Sequence, residues 1–477
     1  MTDKSQQLFA FGMIGLGVMG RNFLLNVADH GFSAAGLDLD VEKANALEEE
    51  ADGRPIMGTT STVDFIEALA RPRRIMLLVP AGKAVDTVIE SLLPHLAEGD
   101  LIIDGGNSHF SDTERRAAYL KDKGLYFVGA GVSGGAEGAR KGPSIMPGGD
   151  KAAYAIIRPV LEAVAAKVGA SQEPCVAHMG RGAAGHYVKM VHNGIEYGMM
   201  QLIAEAYDLL RRVGGLDIPQ LHEVFARWNQ GVLRSFLIEI TAEIFTQKDD
   251  LTSAWLVEVI LDKAKQKGTG KWTSQNAMDI GIPVPTIDAA VTMRGLSSLK
   301  QEREAADAIL DIELPTNPSI DQAGWIEQVG NALHFAFLVT YAQGMALLAD
   351  ASKEHDYDLD MEAIARIWRG GCIIRADLLE QIRKAYSADP ALKNLMVSPA
   401  FSPGLLATQS AMREVLREGI SQGVPMMAFS STLQYFDAYR TGRLPLNLVQ
   451  AQRDFFGSHT YERIDREGIF HTEWEDL

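Results

Sequence analysis

Five polar side chains between residues 185 and 197 have the types and the spacing that proton transfer requires. Lys189, His192, Asn193, Glu196 and Tyr197 follow one another at i, i+3, i+4, i+7 and i+8, which places them on one stripe of a helix. A lysine and a carboxylate on one face of a cleft form an acid/base pair when burial lowers the pKa of the lysine. The pattern therefore predicts an active-site face with Lys189 as base, Glu196 as a second proton donor, and His192 and Asn193 beside them. A solvated helix face is the alternative, but it accounts poorly for the histidine, asparagine and tyrosine.

A glycine motif near the N-terminus predicts a site for a hydride acceptor. Residues 15–20 read Gly-Leu-Gly-Val-Met-Gly, follow a predicted strand and open a predicted helix, which is the context that a dinucleotide-binding G-x-G-x-x-G motif requires. A second match at residues 129–134 is followed by a glycine-rich loop and Pro143, with no predicted helix start, so we do not assign it to a dinucleotide. The predicted cofactor contacts in the first motif are Gly15, Gly17, Val18, Met19 and Gly20.

The end of the second predicted strand indicates which dinucleotide is bound. It reads Leu37-Asp38-Leu39-Asp40, and Asp38 lies where a carboxylate would accept a hydrogen bond from a ribose 2′-hydroxyl. A 2′-phosphate would meet like charge there, with no arginine in the loop to offset it. The sequence thus predicts NAD, contacted by Asp38, Leu39 and Asp40, with NADP as the alternative cofactor. Solvated turn residues are the other interpretation of the two aspartates.

The elements that must position these groups divide the chain into three predicted parts. Residues 1–180 alternate buried strands with helix-length segments, which is the βαβ pattern of a parallel sheet and predicts an α/β Rossmann-type domain. Residues 181–440 show helical periodicity and predict a large all-α domain, and residues 441–477 predict a C-terminal tail that gains its order by docking. The predicted strands are Ala10–Gly15, Ser33–Leu37, Arg74–Val79, Leu101–Asp104 and Leu125–Gly129, and the longest predicted helices are Tyr187–Leu210, Leu221–Ile244 and Ile326–Leu348.

Two weak internal matches predict that the helical part contains a diverged duplication. The segment from Val191 to Leu210 parallels the one from Val329 to Leu348, and residues 226–234 are echoed by residues 366–375. Only the first copy carries the polar helix face.

Composition excludes several function classes. The formal net charge of −17 disfavours nucleic acid and anionic membrane surfaces as partners, so a phosphorylated ligand needs a local positive pocket. Two cysteines cannot build a disulfide framework or a multi-cysteine zinc site. Residues 1–9 lack the pattern of a targeting segment, and no run of about 18 apolar residues occurs. We therefore expect a cytoplasmic protein.

Six motifs together resemble the decarboxylating 6-phosphogluconate dehydrogenase family over essentially the whole chain. They are residues 104–107 (Asp-Gly-Gly-Asn), 131–135 (Gly-Val-Ser-Gly-Gly), 142–149, 189–197, 267–273 and 452–461. The resemblance implies oxidative decarboxylation of 6-phosphogluconate to ribulose 5-phosphate and CO2 in the pentose phosphate pathway. It also implies a homodimer in which each tail threads through the neighbouring subunit, with a tetramer as the alternative.

The resemblance also implies a role for each matching residue. Lys189 would take the proton of the 3-hydroxyl as hydride leaves, and Glu196 would protonate C1 of the enediol. No metal is expected, because a β-keto acid already has an electron sink. Sugar-acid contacts would be Asn107, Ser133, Gly134, Gly135, His192, Asn193 and Glu196; phosphate contacts would be Tyr197, Lys267, Thr269 and Arg294, with Arg453 and His459 from the partner's tail; Val79 and Asn107 would also contact the cofactor.

This sequence departs from the NADP-dependent members of that family at the cofactor loop. Those members carry Asn-Arg-Ser or Asn-Arg-Thr at residues 38–40, alanine at Gly17 and lysine at Pro80. Each change removes an NADP-type feature or restores an NAD-type one, which favours an NAD-preferring variant.

Other classes fit the sequence less well. Residues 131–135 match the G-x-S-x-G nucleophile elbow of esterases, but the glycine-rich residues 134–138 are a poor helix start. Residues 268–273 resemble a P-loop, but Trp272 stands where Ser or Thr must bind magnesium. The closer alternatives are a non-decarboxylating β-hydroxyacid dehydrogenase and a non-catalytic dinucleotide sensor.

Overall fold

The computed structural model describes residues 8–312, 314 and 320–474, so most of the N-terminal segment considered for targeting lies outside the described residues. A seven-stranded sheet with the order β3-β2-β1-β4-β5-β6-β7 forms the N-terminal part, and its strands are parallel except for β7. The order reverses beside β1, which opens a crevice at the carboxyl ends of β1 and β4 where dinucleotides bind in such sheets. The strands are β1 (Phe11–Ile14), β2 (Ala34–Leu37), β3 (Ile56–Thr59), β4 (Arg74–Leu77), β5 (Leu101–Asp104), β6 (Tyr126–Ser133) and β7 (Ser144–Gly149); the helices are α1 (Val18–Asp29), α2 (Val41–Glu49), α3 (Thr62–Glu67), α4 (Lys83–Leu92), α5 (Phe110–Lys121), α6 (Gly135–Lys141) and α7 (Lys151–Val164).

The predicted α/β fold is confirmed, and the sheet contains two strands beyond the five predicted. β3 is a short, half-buried edge strand, so its four residues carry little apolar signal. β7 contains Pro147 and two glycines, a composition typical of a loop, but proline is tolerated on an edge strand that needs no donor there. The prediction that no helix follows the second glycine motif is wrong. Gly134 adopts φ 117°, a left-handed turn that glycine allows, and α6 begins at the next residue.

The second part of the chain is helical, as predicted. The predicted helix over residues 221–244 is two helices, because Asn229 and Gly231 form a turn and the Ser235 hydroxyl caps a new helix. The helices are α8 (Ala184–Arg212), α9 (Ile218–Trp228), α10 (Phe236–Ile244), α11 (Leu256–Val259), α12 (Thr269–Asp279), α13 (Pro285–Ser298), α14 (Lys300–Ile309), α15 (Gln322–Glu354), α16 (Met361–Ile367), α17 (Leu378–Ala388), α18 (Ser402–Ser421), α19 (Met427–Tyr439) and α20 (Leu446–Gly457); two short hairpins pair β8 (Lys167–Val168) with β9 (Glu173–Pro174) and β10 (Tyr461–Glu462) with β11 (Ile469–Phe470).

Two backbone hydrogen bonds join the two halves of the predicted duplication symmetrically. Phe236 N–H donates to the carbonyl of Arg375 at 3.0 Å, and Asp377 N–H donates to the carbonyl of Arg234 at 3.1 Å. Since Arg234 and Arg375 are equivalent positions in the two copies, each copy gives and receives the same bond. The long helices α8 and α15 of the two copies pack against each other. This arrangement supports a doubled helical unit.

Helix α15 is the centre of the helical part. It is long and apolar enough to cross a membrane by length and composition, with a mean hydropathy of 1.5 over 18 residues, but 89% of that window is buried. It packs against α8 and α18, and a burial of this kind is that of a core helix.

The tail residues from 446 to 474 form a unit of their own. Asp454 is fully buried and accepts hydrogen bonds from Thr460, His471, Thr472 and Trp474, which folds the tail around one carboxylate. The hydrogen bonds of this unit in the described part of the chain join tail residues to one another. Its helix leaves large apolar side chains exposed, namely Leu446, Leu448, Val449, Phe455 and Phe456.

Close backbone contact holds α8 against the β6–β7 hairpin. A Cβ on Gly131 would lie 2.3 Å from Cβ of Lys189, and a Cβ on Gly185 would lie 2.2 Å from the carbonyl oxygen of Gly129. A Cβ on Gly148 would lie 2.2 Å from the backbone nitrogen of Gly185. Only glycine fits at these positions, so the helix rests directly on the hairpin backbone.

We expect Gly131→Ala to lower the free energy of unfolding by about 2 kcal/mol, because the added methyl forces α8 away from the sheet. Chemical denaturation measures this change. Gly442→Ala is the matched control, since no atom lies within 4 Å of a Cβ there, and its stability should be unchanged. Equal stability of the two variants would contradict the packing account.

Candidate active site

The glycine motif after β1 forms a turn with an open anion-binding end. Gly15 adopts φ 95°, and a Cβ on it would lie 2.5 Å from the carbonyl oxygen of Leu78. A Cβ on Gly20 would lie 1.8 Å from the carbonyl oxygen of Gly15, so α1 approaches β1 as closely as backbones allow. Gly17 precedes α1 with open space around it and no side-chain cap. The first N–H groups of a 12-residue helix are thus free for a pyrophosphate.

Asp38 and Asp40 have different structural roles at the end of β2. The Asp38 carboxylate accepts a 2.7 Å hydrogen bond from Leu16 N–H and another from Asp40 N–H. It therefore fixes the glycine turn beside the second strand, where a ribose would lie. Asp40 caps α2 by accepting from Glu42 N–H. Leu39 between them is 94% exposed and free to contact a ligand.

A cation that sequence reasoning missed lies beside this pair. Lys43 Nζ is 3.6 Å from a carboxylate oxygen of Asp38 and 3.6 Å from one of Asp40. The only sequence signal for it is the i, i+3 spacing from Asp40 on α2. Lys43 lowers the negative potential that a 2′-phosphate would meet, so the loop repels that group less than its sequence indicates.

Three of the predicted polar residues of α8 form one hydrogen-bonded group with β6 and α12. Asn193 Oδ1 accepts from Lys189 Nζ at 2.5 Å and lies 3.0 Å from His192 Nδ1. Asn193 Nδ2 donates to the Thr269 hydroxyl at 3.0 Å. His192 Nε2 lies 3.3 Å from Ser133 Oγ at the end of β6. The structure thus brings five predicted site residues together at the junction of the sheet and the helical part.

Burial shifts the pKa values of this group in directions that suit proton transfer. Desolvation lowers the pKa of Lys189, although the nearby Glu196 carboxylate opposes the shift. Desolvation raises the pKa of Glu196, opposed by Lys189 and Arg294. Burial and the Lys189 charge hold the pKa of His192 well below its usual range, so the imidazole is neutral. A buried amine that readily loses its proton and a carboxyl group that readily keeps one lie two turns apart on one helix.

On the next turn of α8, the Tyr197 ring contacts a cation from α13. The Arg294 guanidinium stacks 3.7 Å from the centre of the Tyr197 ring and donates to the carbonyl of Lys265 at 3.0 Å. A Cβ on Gly270 would lie 2.4 Å from the Tyr197 ring, so α12 packs tightly under the tyrosine. Lys267 is exposed just before the N-terminus of α12. Arg294 thus contacts Tyr197, while Thr269 contacts Asn193 on the same helix.

Not every predicted site residue lies at this junction. Asn107 is exposed on the loop after β5, and Val79 is half-buried next to Gly15. Gly134 forms the turn between Ser133 and α6, and Gly135 is the first residue of that helix. Arg453 and His459 are on the tail, where Arg453 donates to Gln450 and His459 contacts Phe456. Within one chain these two residues contact only other tail residues in the described part of the structure.

The second helical copy supplies a wall of the site that the sequence did not indicate. The Trp368 ring packs edge-on against His192, with 5.5 Å between ring centres. The Gly371 carbonyl accepts from Ser144 N–H at 2.8 Å and closes the turn at Gly134. The repeat match between residues 226–234 and 366–375 contains Trp368, but nothing in it places the ring beside His192.

Ser133 and His192 also resemble two members of the catalytic triad of a hydrolase. The geometry around His192 distinguishes this site from a triad. A helix does follow Ser133, contrary to prediction, and His192 Nε2 faces its hydroxyl. However, His192 Nδ1 faces the amide oxygen of Asn193, and the Glu196 carboxylate is 3.9 Å away, too far for the hydrogen bond that orients a catalytic imidazole. The arrangement lacks the carboxylate partner of a triad.

The fold and the site define a dinucleotide-dependent oxidoreductase with a buried lysine at the junction of its sheet and its helices. A family model described as the NAD binding domain of 6-phosphogluconate dehydrogenase matches residues 10–180, and one described as the C-terminal domain of 6-phosphogluconate dehydrogenase matches residues 185–474. The chain belongs to the 6-phosphogluconate dehydrogenase family, whose members are NAD(P)-dependent oxidoreductases.

Two curated relatives and one solved structure show how close the similarity is. The chain is 52% identical to an NADP(+)-dependent, decarboxylating 6-phosphogluconate dehydrogenase of Bacillus subtilis, over 97% of this chain and 98% of that one. It is 49% identical to the NAD(+)-dependent enzyme of the same organism, over 98% and 99%. The structure of Plasmodium falciparum 6-phosphogluconate dehydrogenase, studied with NADP+ and with 6-phosphogluconate, superposes with a TM-score of 0.95 at 43% identity, over 98% of this chain and 100% of that one.

We expect Lys189→Met to raise the free energy of unfolding at pH 7 by about 1 kcal/mol, because it replaces a poorly solvated amine with an apolar group of similar length. The sign follows from the lowered pKa of Lys189, since protonating a group at neutral pH costs more in the folded chain than in the unfolded one. Denaturant unfolding of the variant and of the exposed control Lys121→Met measures the difference. A loss of stability in Lys189→Met alone would contradict the account.

Proposed function

We propose that this chain catalyses the oxidative decarboxylation of 6-phospho-D-gluconate to D-ribulose 5-phosphate and CO2 with a nicotinamide dinucleotide as hydride acceptor. The observation that carries the proposal is the pair formed by buried Lys189 and half-buried Glu196, whose pKa values are displaced in opposite directions on one helix. The relatives' names add the substrate class and the loss of CO2.

The proposed residue roles follow from the direction of each pKa shift. Neutral Lys189 takes the proton of the 3-hydroxyl while the C3 hydrogen leaves as hydride to the dinucleotide, which forms a 3-keto acid. The resulting ammonium donates a hydrogen bond to the keto oxygen. It stabilises the negative charge that develops on this oxygen as CO2 leaves and then protonates the oxygen. Protonated Glu196 finally delivers its proton to C1 of the enediol, while the now neutral Lys189 takes the proton of the adjacent enediol hydroxyl, which becomes the ketone of ribulose 5-phosphate. Asn193 holds the Lys189 amine in place, and His192, Ser133, Gly134, Gly135 and Asn107 would orient the sugar acid.

The phosphate group would bind between α8, the N-terminus of α12 and α13, which carries Arg294. Tyr197, Lys267, Thr269 and Arg294 offer two cations and two hydroxyls, and the planar guanidinium suits two phosphate oxygens. We propose that Arg453 and His459 of a second copy complete this site through tail exchange in a homodimer. The exposed apolar side chains of α20 support this, because they need a covering surface that the described part of their own chain does not provide.

We propose NAD as the preferred cofactor, with NADP as the alternative. Asp38 stands beside the glycine turn, where it would accept from a ribose 2′-hydroxyl, and Leu39 offers no charge to a 2′-phosphate. The Lys43 ammonium beside Asp38 reduces this preference, because its charge attracts a 2′-phosphate. We also propose that the chain divides into domains at residues 1–180, 181–440 and 441–477. A cytoplasmic location is part of the proposal and agrees with the two buried free thiols.

Turnover of 6-phosphogluconate with NAD and with NADP, followed by nucleotide reduction and CO2 release, tests the proposed reaction. We expect both products in equal amounts. Glu196→Gln should lower ribulose 5-phosphate formation at least tenfold, because the carboxyl proton is lost. Reduction without CO2 would instead support a β-hydroxyacid dehydrogenase, and tight dinucleotide binding without any turnover would support a sensor.

Cofactor preference has its own test. The double variant Asp38→Asn with Leu39→Arg should lower the ratio of kcat/KM for NAD to that for NADP by about tenfold or more, because it removes a carboxylate and adds a guanidinium beside the 2′ position. Leu39→Gln is the control that changes polarity without adding charge. A parent enzyme that prefers NADP, and loses that preference in Lys43→Met, would overturn the proposal and identify Lys43 as the phosphate ligand.

The pH dependence of kcat tests the two proton-transfer roles together, because kcat includes the enediol protonation that follows the loss of CO2. Activity should fall as pH drops through the lowered pKa of Lys189, because the amine becomes protonated. It should also fall as pH rises through the raised pKa of Glu196, because the carboxyl group loses its proton. Glu196→Gln should abolish the alkaline fall. A parent profile that keeps rising through the alkaline range would contradict the Glu196 role.

A further inference from the structure

Arg116 on α5 is a buried cation that joins the two loops at the dinucleotide edge of the sheet. Its Nη2 donates to the Gly82 carbonyl at 2.9 Å and its Nε to Asp86 at 2.7 Å, both after β4. Its Nη1 lies 3.3 Å from the Asp104 carboxylate and 3.2 Å from the Ser108 hydroxyl, on either side of the Asn107 loop after β5. The guanidinium is buried, so these contacts are little screened by solvent.

Asp104 in turn shapes the loop that presents Asn107. One of its oxygens accepts from Gly106 N–H at 3.0 Å, and the other accepts from the Ser108 hydroxyl at 2.6 Å. The carboxylate is fully buried and holds the backbone on both sides of Asn107. The exposed Asn107 side chain therefore rests on a loop whose conformation depends on buried groups behind it.

One turn before Arg116, Thr113 connects α5 to the helix that carries Lys189. Its hydroxyl lies 2.6 Å from His186 Nδ1, and His186 precedes Lys189 by three residues on α8. The pair meets across β6 only because residue 129 is glycine, since a Cβ there would lie 2.6 Å from Thr113 and 2.9 Å from the His186 ring. Both side chains are buried.

The His186 ring also lies near the backbone of the Asn107 loop. Burial lowers the pKa of His186, so the ring is neutral and carries one proton. The backbone of Asp104 and Gly106 lies near enough to favour a proton on His186, although Nε2 has no well-aligned hydrogen bond among the described residues. The Thr113 hydroxyl also lies 3.3 Å from the His109 carbonyl, so it joins the His186 ring to the start of α5.

We propose that Arg116, Thr113 and His186 form a positioning network that sets the Asn107 loop at a defined distance from Lys189. Arg116 binds both loops at the cofactor edge of the sheet. Thr113, on the same helix α5, contacts His186 on α8, so the position of the loops is coupled to that of the catalytic helix. The inference rests on the proposed function, because Asn107 and Lys189 would there contact the same substrate from opposite sides. Hydride transfer depends steeply on such a distance, and a misplacement of about 1 Å can cost up to a hundredfold in rate.

A role in folding alone would have a different consequence. Loss of a purely structural contact lowers the fraction of folded enzyme, and the molecules that remain react as before. Loss of positioning leaves the enzyme folded but slows hydride transfer relative to the other steps. The primary deuterium isotope effect on kcat separates these cases, because it rises when hydride transfer becomes more rate-limiting.

Thr113→Val and Thr113→Ser form the matched pair for this experiment. Valine keeps the shape of the side chain and removes the hydroxyl that contacts His186, whereas serine restores the hydroxyl. With 6-phosphogluconate deuterated at C3, we expect Thr113→Val to lower kcat about tenfold and to raise the isotope effect, and Thr113→Ser to keep both near the parent values. A Thr113→Val enzyme with the parent isotope effect, whatever its stability, would overturn the proposal.

A binding measurement separates failure of this proposal from failure of the proposed function. Calorimetric titration with NAD needs no turnover, and Arg116→Lys should weaken binding at least fivefold because a lysine cannot hold both loops. Suppose that the parent does not oxidise 6-phosphogluconate. If Arg116→Lys and Thr113→Val both still weaken NAD binding, the network is supported and only the substrate assignment is wrong. If neither variant changes NAD affinity in such a protein, the network falls as well.

Discussion

The close approach of α8 to the backbone of the β6–β7 hairpin is the constraint on which the site depends. Glycines at positions 131, 148 and 185 allow this approach, because a side chain at any of them would clash with the facing segment. Lys189 lies directly above Gly131, and its amine is thereby carried to the end of β6 beside Ser133 and His192. Placing the amine in this contact also buries it, and that burial shifts its pKa.

The electrostatics of the site depend on the same contact. Lys189 and Glu196 share one helix, so their separation is rigid, and each moderates the desolvation of the other without forming an ion pair in the described structure. Asn193 can accept from both Lys189 and His192, which orients the amine and selects one imidazole tautomer. On the other side of the sheet, the Arg116, Thr113 and His186 network relates this helix to the cofactor loops. Proton transfer is thus assigned to Lys189 and Glu196, and positioning to the separate network of Arg116, Thr113 and His186.

Much of this arrangement could be predicted from the sequence because its signals are local. The i, i+3, i+4 spacing of the α8 stripe and the glycine turn before α1 are short-range patterns, and both are confirmed as structural features. β7 and α6 could not be predicted, because their composition is that of a loop and the packing of α1 and α8 stabilises them. Lys43, Trp368, Thr113 and His186 act through contacts between distant segments, which no single-sequence periodicity records.

The ionisation of Lys189 in the folded enzyme tests the central claim most directly. The amine signal can be assigned by comparing the nitrogen-detected NMR spectrum of lysine-labelled protein with that of Lys189→Met, and then followed across pH. The account predicts that this amine titrates below the ordinary lysine value of 10.5, because burial disfavours its charged form. A Lys189 amine that titrates at or above that value would contradict it, since the group would then be held as an ammonium and could not serve as the base.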